Sequence, residues 1–432
     1  MKRSITPSNK LPEAIGASAI LRALAVIVML TTAVGSAEAE SAPPATWLGS
    51  AELVALIPFK AADEAGLKAE TRLIFDSKPE SGVRFRAEGG LRWMYGGSSE
   101  EAAAFDAALA EAPDPTELPP GKDLHRVLFL DQAYAEAALG RADLSFGVVP
   151  IAWGTGYVFN PTARTAPPVF PEDAADAAPG TLGTAVRFVL PAGFSVEAYA
   201  VAEPRLRSTV PEIDELAGDR FPFGAKVQFR SELIDASISL IRELVVADSD
   251  AAYWLGSDAA GFLGPVSWYA EAALRLPGNG GTPSPDWRAL DETEACAGLS
   301  WTIPGLEATF RSEAAWFGTG EDGVDDYDVA ALLAGKRALL ARRYLFAQLE
   351  KEDPNAAKWK VSGGALMNLN DFSSALIGEA KFSPLLAVEV SAFVYFFLAD
   401  GDGELGGARP LGGGLEFSPY RSAAGLSARI SF

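Results

Sequence analysis

Residues 83–95 read VRFRAEGGLRWMY, and apolar and polar residues alternate along this stretch. Val83, Phe85, Leu91 and Trp93 share one parity, whereas the arginines and Glu88 occupy the other. A period of two places successive side chains on opposite faces of a β-strand. The pattern therefore predicts a strand with one apolar face and one wet face.

The same alternation recurs through residues 225–232, 268–275, 306–316 and 386–398. Pro, Gly, Asn and Asp separate the segments, and the connections between them alternate between short and long. The short connections are 77–82, 139–143, 191–193, 232–235, 303–305, 350–355 and 383–386, and the long ones are 97–122, 154–181, 203–222, 245–252, 277–289, 318–341 and 399–420. This arrangement predicts an all-β, antiparallel, up-and-down meander with short turns at one end and long loops at the other.

We expect about 18 strands, an even number that brings both chain ends to the short-turn end. Two segments are weakly defined, namely 254–263, taken as a strand, and 409–418, placed in the last long loop. They leave counts of 16 and 20 open. Two further segments, 100–112 and 328–343, have helix-like patterns and are interpreted as loop helices.

The first 39 residues have the layout of a secretory signal peptide. Four basic residues precede or border the apolar run 23–34, and the small-x-small sequence Ala37-Glu38-Ala39 follows it. A single anchoring helix is the alternative, but it needs about 20 apolar residues. We therefore predict a signal peptide at 1–39, followed by one domain at 40–432.

Composition excludes several classes of protein. The net charge of −21 disfavours nucleic-acid binding, and the sequence has no basic cluster that would indicate it. The single cysteine, Cys296, excludes an intramolecular disulfide framework. Although 49% of the residues are hydrophobic, they are spread over short segments, so no spanning helix is predicted beyond the first 39 residues.

Many alternating strands can form a soluble sandwich or barrel, or a barrel whose apolar face meets lipid. The barrel with a lipid-facing exterior is favoured because the polar faces carry Arg and Glu among small residues, as a water-filled lumen requires. Several apolar faces also end in Trp or Tyr, the residues expected at bilayer interfaces. In hydrocarbon, strands must form a closed sheet so that every backbone group is paired. We therefore predict a transmembrane β-barrel with membrane lipid around it.

The last residues extend this interpretation. Apolar residues alternate up to a terminal aromatic residue, and the set resembles the C-terminal strand of Gram-negative outer-membrane β-barrels: Leu426, Ala428, Ile430 and Phe432. The resemblance implies recognition by the barrel-assembly machinery and a location in the cell outer membrane. Residues 144–162, 267–274 and 366–377 are similar to segments of porin-like outer-membrane proteins, broadly of the alginate-export type. This second resemblance implies the fold rather than a substrate.

The sequence offers little for catalysis or metal binding. The only histidine, His125, has no paired motif, and Cys296 has no partner of the kind that a zinc site or a thiol nucleophile needs. Carboxylates crowd segments 321–328 and 400–404, but solvated loop charge explains them without a metal. We predict no enzyme, no cofactor and no metal site.

A pore remains as the main functional prediction. Charged residues on the polar parity are the candidates for its wall: Arg72, Arg84, Arg86, Glu88, Arg92, Arg187, Lys226, Arg230, Glu307, Arg311 and Glu313. Rings of charge on a pore wall set ion preference. Acids on the long loop 154–181 are predicted to face the early arginines across a constriction: Glu172, Asp173 and Asp176.

Three functions stay open on the sequence. The first is passive diffusion of small hydrophilic solutes through a porin-like channel. The second is a conduit for acidic saccharides or organic acids, which the arginine cluster favours. The third is a structural or surface-interaction barrel with a lumen that loops block.

Overall fold

A computed structural model describes most of the chain from residue 46 onward. The described residues are 46–58, 66–77, 82–96, 125–165, 180–202, 222–244, 251–276, 278–279, 282–283, 293–328, 339–353, 358–385, 387–407, 409–412, 415–417 and 422–431. The predicted signal peptide, the segment 100–112 and most of 328–343 lie outside these residues.

Strands dominate the described residues. In chain order they are β1 (Thr46–Pro58), β2 (Gly66–Ser77), β3 (Val83–Gly96), β4 (His125–Leu139), β5 (Ala142–Val149), β6 (Thr181–Val189), β7 (Phe194–Val201), β8 (Phe223–Arg230), β9 (Ile234–Leu244), β10 (Ala251–Leu263), β11 (Val266–Leu276), β12 (Thr293–Ile303), β13 (Ala308–Phe317), β14 (Arg343–Glu352), β15 (Trp359–Asn368), β16 (Ser374–Leu385), β17 (Val388–Leu398) and β18 (Ala423–Ser431).

These strands form one closed sheet of 18 strands, in which each strand pairs antiparallel with its neighbours along the chain. The sheet closes where β1 pairs with β18, in a register that runs from Ser50 opposite Ser431 to Pro58 opposite Ala423. Closure leaves no strand of this 18-strand sheet with an unpaired edge. The predicted up-and-down barrel is confirmed, and counts of 16 and 20 are wrong.

Both weakly defined segments lie where the sequence predicted them. Residues 254–263 fall within β10. A small hairpin of residues 409–412 and 415–417 lies in the last long connection, apart from the barrel sheet. The connections after β4 and β10 are short, whereas those after β3, β5, β7, β13 and β17 are long. Successive connections alternate between the two ends of the barrel, so all of these long connections lie at one end and both of these short ones lie at the other.

The outside of the barrel is apolar. Exposed side chains of the strands include Leu128 at 60%, Phe146 at 66%, Ile238 at 64% and Phe262 at 66%. Along β5, Phe146 points outward and its neighbours Ser145 and Gly147 are less exposed, as the alternation predicts. A band of this kind cannot face water over the whole circumference at low cost, since a single exposed apolar patch in a soluble monomer rarely exceeds several hundred Å².

Aromatic side chains cluster at the short-turn end of that band. Trp301 at the end of β12 and Trp359 at the start of β15 are about one third exposed. Phe194 begins β7, and Phe382 lies near the end of β16, both on the outer surface. The arrangement is typical of the ring of aromatic residues at a bilayer interface.

Among the described residues, no helix is long and apolar enough to cross a membrane. On β18, Leu426 and Ile430 are exposed at 63% and 53%, and Ala428 lies exposed between them. The side chain of Arg429 points the other way and pairs with Glu52 at 3.3 Å. The role of this strand as an assembly signal stays a prediction, and Phe432 lies outside the described residues.

The closed sheet should make the protein resistant to unfolding by detergent. Because every barrel strand is hydrogen-bonded on both sides, sodium dodecyl sulfate alone should not unfold the protein at room temperature. Purified protein should therefore migrate faster on a detergent gel when unheated than after boiling. Equal migration of both samples, with folded β-structure shown by circular dichroism beforehand, would contradict the closed barrel.

Candidate functional site

Residues 150–165, which we call the inward segment, follow β5 and fold into the barrel. Seven of its residues are at most 8% exposed: Ile151, Trp153, Val158, Phe159, Pro161, Thr162 and Thr165. A connection that was merely solvated at the barrel mouth would not bury such side chains. The inward segment therefore forms part of the interior.

Glu271 on β11 holds the first part of the inward segment. The backbone N–H groups of Thr155 and Gly156 donate to its Oε1, the latter at 2.6 Å. Thr162 donates to Oε2 through its hydroxyl at 3.0 Å and through its backbone N–H at 3.3 Å. The Glu271 side chain is thus surrounded by donors from a single segment, which explains how it stays buried at 3% exposure.

Glu313 on β13 holds the next part in the same way. Backbone N–H groups of Tyr157, Val158 and Phe159 donate to it at 2.9, 3.2 and 2.6 Å. The hydroxyl of Tyr269 donates to the same carboxylate. The backbone N–H groups of residues 155–159 are therefore all satisfied by two strand carboxylates rather than by backbone acceptors.

Glycines make this path possible. Gly154 has φ +103°, a conformation that favours glycine, and a methyl group there would lie 2.7 Å from Oε1 of Glu271. A methyl group at Gly156 would lie 1.9 Å from the carbonyl oxygen of Phe159. The sequence WGTG at 153–156 is thus required for the backbone to wrap closely around a carboxylate.

Arg164 fixes the end of the inward segment. Its guanidinium donates to Glu294 on β12 at 2.5 Å and stacks 3.7 Å from the ring centre of Trp254 on β10. At the other end of the segment, Trp153 packs edge-on against Tyr199 of β7, with ring centres 4.7 Å apart. The segment therefore runs along the inner wall from β7 to β13 and is attached at several points.

A second group of charges lines the wall made by β2, β3 and β4. We call it the charge ladder, and its members form one connected set of ion pairs: Lys68, Glu70, Arg72, Asp76, Arg84, Arg86, Glu88, Arg92, Asp131 and Glu136. Cations and carboxylates are equal in number, so the charge ladder as a whole is neutral at pH 7. Its long cationic side chains, including Arg84 and Arg92, remain about one third exposed and accessible to water.

Arg72 lies at the centre of the charge ladder. It contacts Glu70 at 3.0 Å, Glu88 at 2.7 Å and Asp131 at 2.9 Å. The guanidinium groups of Arg72 and Arg92 both lie over the ring of Phe129, at 5.4 and 5.1 Å from the ring centre. These contacts fix the cations to the wall.

Asp131 reaches the charge ladder because of a β-bulge. In the β3–β4 register, Glu88 pairs with Gln132 but the next residue, Gly89, pairs with Leu130, so Asp131 is the extra residue. Gln132, opposite the inward-facing Glu88, and the adjacent Asp131, which contacts Arg72, therefore both face the interior. A bulge re-aims a side chain in this way. It supplies the ladder with a carboxylate that strict alternation would not predict.

The other predicted wall residues form separate small groups. Glu197 pairs with Arg187 at 3.4 Å and with Lys226 at 3.3 Å, and Lys226 also lies 5.2 Å from the ring centre of Trp153. Arg311 and Lys360 pair with Glu350 at 3.2 and 3.0 Å. Each of these cations is therefore partly neutralised by a carboxylate.

Two predicted residues lie at the short-turn end instead of along the wall. Arg230, at the end of β8, pairs with Asp235 at 2.9 Å and is 61% exposed. Glu307 lies in the connection between β12 and β13, with φ 51°. Glu313 lies on the wall but is buried under the inward segment. The predicted loop acids, Glu172, Asp173 and Asp176, lie outside the described residues.

The charge ladder and the attachment sites of the inward segment face each other. β3 carries the middle of the ladder, and β12 lies halfway round the ring of 18 strands from it. The inward segment is attached at β11, β12 and β13 through Glu271, Glu294 and Glu313. Any passage through the barrel therefore runs between the charge ladder on β2, β3 and β4 and the inward segment, which is attached to the opposite wall.

Comparison with solved structures agrees with the architecture. The crystal structure of Acinetobacter baumannii OccAB3 superimposes with a TM-score of 0.51 and 9% sequence identity, over 90% of this chain and 98% of that chain. The chain has the fold of a porin-like outer-membrane barrel. A mutant of the Rh. blastica porin aligns over 90% of this chain and all of that chain, with 10% identity and a TM-score of 0.42. No protein-family model matches the sequence, and no curated protein matches it.

Within the described residues, no group of three or more His, Cys, Asp or Glu side chains is arranged to hold a metal ion. Cys296 is buried on β12, and its thiol donates to the carbonyl oxygen of Phe159 at 3.1 Å. The single cysteine therefore contributes to holding the inward segment.

The sequence predicted charged residues of the wall but not the residues that they contact. It did not single out Arg164, Glu294 or Asp131, and it placed Glu313 on an open wall. One signal was present, because the segment 151–162 combines closely spaced glycines with Trp, Tyr and Phe. Such a composition is unusual for a solvated loop and indicates a segment that packs tightly.

The attachment of the inward segment can be tested at Glu313. In Glu313→Ala, three backbone N–H groups lose their acceptor in a buried place, so local opening of residues 157–159 should become easier by about 2–4 kcal/mol. Amide hydrogen exchange of the protein in detergent measures this free energy.

The matched control is Glu379→Ala, which removes a half-exposed carboxylate that pairs with Lys381 at 3.1 Å. It should leave exchange at residues 157–159 unchanged. Equal exchange in both variants and the wild type would show that Glu313 does not hold the segment.

Proposed function

We propose that this protein is an outer-membrane channel through which small hydrophilic solutes diffuse passively. One observation carries the proposal: an 18-strand closed barrel has an apolar outside and a charge ladder inside whose cations remain accessible to water. Barrels of this size are wide enough to enclose an aqueous passage. The channel needs no cofactor, and no catalytic role is proposed.

The location follows from the same features. The apolar band and its aromatic ends suit a surrounding bilayer, and the signal sequence at 1–39 would direct export. The terminal sequence 426–432 would be recognised by the barrel-assembly machinery. Membrane lipid, that machinery and the permeating solutes are the proposed partners, and nucleic acid is not among them.

The charges favour cations and neutral solutes over acidic ones. The arginines that suggested a conduit for acidic saccharides or organic acids are matched one for one by carboxylates within the charge ladder. The whole chain carries a net charge of −21. A negative field concentrates small cations at the entrance of a channel. A conduit for acidic solutes is therefore the less supported alternative.

A constriction across the barrel remains part of the proposal. The inward segment belongs to the connection 150–180, which also contains the predicted acids Glu172, Asp173 and Asp176. If these acids extend from the attached segment toward β3, they face the charge ladder. Acid opposite base would then orient polar solutes as they pass.

A closed lumen is the second candidate, and the inward segment favours it. A barrel that loops block would serve as a structural or surface-interaction protein. Planar bilayers separate the two: purified protein should give discrete conductance steps if it is a channel. No conductance from protein that still shows heat-dependent migration would support the blocked barrel instead.

The charge ladder predicts a specific change in ion selectivity. Asp131→Asn removes one carboxylate from beside Arg72, which leaves the ladder with a net positive charge. The ratio of potassium to chloride permeability should then fall by about twofold, since wall charge sets ion preference. Reversal potentials in a potassium chloride gradient measure the ratio.

Glu232→Gln is the matched control, because Glu232 lies exposed in the short connection after β8. It changes the total charge by the same amount and should shift the reversal potential much less. A channel whose selectivity responds equally to both variants would rule out control by the charge ladder.

A further inference from the structure

Glu404, in the long connection after β17, is fully buried, so the interpretation of 400–404 as solvated loop charge is wrong for this residue. Its Oε1 accepts from the backbone N–H of Leu340 at 2.5 Å. Its Oε2 accepts from the Tyr344 hydroxyl at 2.5 Å and from Nδ2 of Asn368 at 2.9 Å. Each of these donors is uncharged, so no cation among the described partners compensates the carboxylate.

A second carboxylate, Asp371, lies beside it. Asp371 accepts from the Tyr327 hydroxyl at 3.0 Å and from the backbone N–H of Glu404 at 2.8 Å. Nδ2 of Asn368 also donates to the Tyr327 hydroxyl, at 2.8 Å. We call this set the Glu404 cluster: Tyr327, Tyr344, Asn368, Asp371 and Glu404.

The Glu404 cluster joins three connections at the long-loop end of the barrel. Tyr327 and Leu340 belong to the connection 318–342, Asp371 to 369–373, and Glu404 to 399–422. Leu340 and Leu405 pack around the cluster, at 1% and 0% exposure. Among the described residues, neither strand pairing nor a disulfide links these three connections. The Glu404 cluster and its apolar surroundings join them, together with hydrogen bonds such as Asn370 to Asp322 and Leu405 to Ser373.

Burial makes the charge on Glu404 costly. Loss of hydration, with a smaller contribution from the negative charge of Asp371, raises the pKa of Glu404 to about 7, although donors from Tyr344 and Leu340 act in the opposite direction. Burial likewise raises the pKa of Tyr327 above its ordinary value, so this tyrosine stays neutral. Tyr344 and Asn368 face Glu404 from β14 and β15, and Asp371 faces it from the connection between β15 and β16.

The nearby arginines do not supply the missing cation. Arg342 and Arg343, at the start of β14, both pair with Asp322, at 3.2 and 3.0 Å. Asn370 donates to the same Asp322 carboxylate at 3.1 Å. These two arginines are therefore engaged with another acid.

We propose that the Glu404 cluster is a pH-sensitive lock on the three connections, which it holds together when Glu404 is protonated and releases when Glu404 is ionised. The proposal concerns the loops alone and does not depend on whether the barrel conducts. It gives the protein a means of changing its long-loop end between mildly acidic and mildly alkaline surroundings.

The direction of the pH dependence follows from linkage. A carboxyl group with a raised pKa stabilises the closed state fully at low pH and loses that contribution as the pH rises. Once released into water, Glu404 returns to its ordinary pKa of about 4.5. The opening equilibrium should therefore increase about tenfold per pH unit between roughly pH 5 and 7. Above that range it should level off, because both states are then ionised.

Amide hydrogen exchange of the full chain in detergent tests the proposal. Protection factors of residues 400–407, corrected for intrinsic exchange, should fall about tenfold per unit from pH 5 to pH 7. In Glu404→Gln, a neutral group of the same shape replaces the acid, so the pH dependence should disappear. Asp402→Asn is the matched control on the same connection, since Asp402 is exposed, and it should keep the wild-type slope.

A second variant tests the assignment if Glu404→Gln does not fold. Tyr344→Phe removes a donor that favours the ionised form, so the pH at which the protection factor levels off should move upward. Protection factors that do not vary with pH in the wild type would overturn the proposal. An unchanged slope in Glu404→Gln, or an unchanged levelling-off pH in Tyr344→Phe, would overturn it as well.

Discussion

Pairing of backbone groups is the constraint on which the structure depends. A strand surrounded by hydrocarbon has no water to satisfy its N–H and C=O groups, so each strand needs two neighbours. Closure of β1 on β18 meets that need for the whole sheet. Once the sheet is closed with its apolar side outward, every residue of the other parity must point into the interior. The charge ladder and the acids that hold the inward segment follow from this arrangement.

The same constraint governs the segments that enter the barrel. A loop that folds inside leaves water, and its N–H groups then need acceptors. Glu271 and Glu313 supply these acceptors from the wall, so that residues 155–159 lie inside the barrel without regular secondary structure. Glu404, in the last long connection, also accepts from a backbone N–H group of a loop, but it lies next to a second carboxylate, Asp371. Buried carboxylates in this protein therefore organise loops.

The interior charges have two distinct roles. On β2, β3 and β4, cations and carboxylates alternate in space and neutralise each other, which gives a polar wall with little net field. On β11 and β13, carboxylates face backbone donors and lie under the inward segment. The sequence presents both sets in the same way, as charged residues at alternate positions. Only their partners distinguish a wall that meets water from a point of attachment.

The sequence by itself determined the barrel, the alternation of short and long connections, and which residues of each strand face the interior. It could do so because a period of two is a local property of a strand. It could not determine the partners of the inward residues. Arg164 meets Glu294, and Tyr157 meets Glu313, across more than 100 positions of the chain. Asp131 enters the interior through a bulge, which shifts the parity that the alternation predicts. Such contacts depend on the register and closure of the whole sheet, so only the tertiary structure decided them.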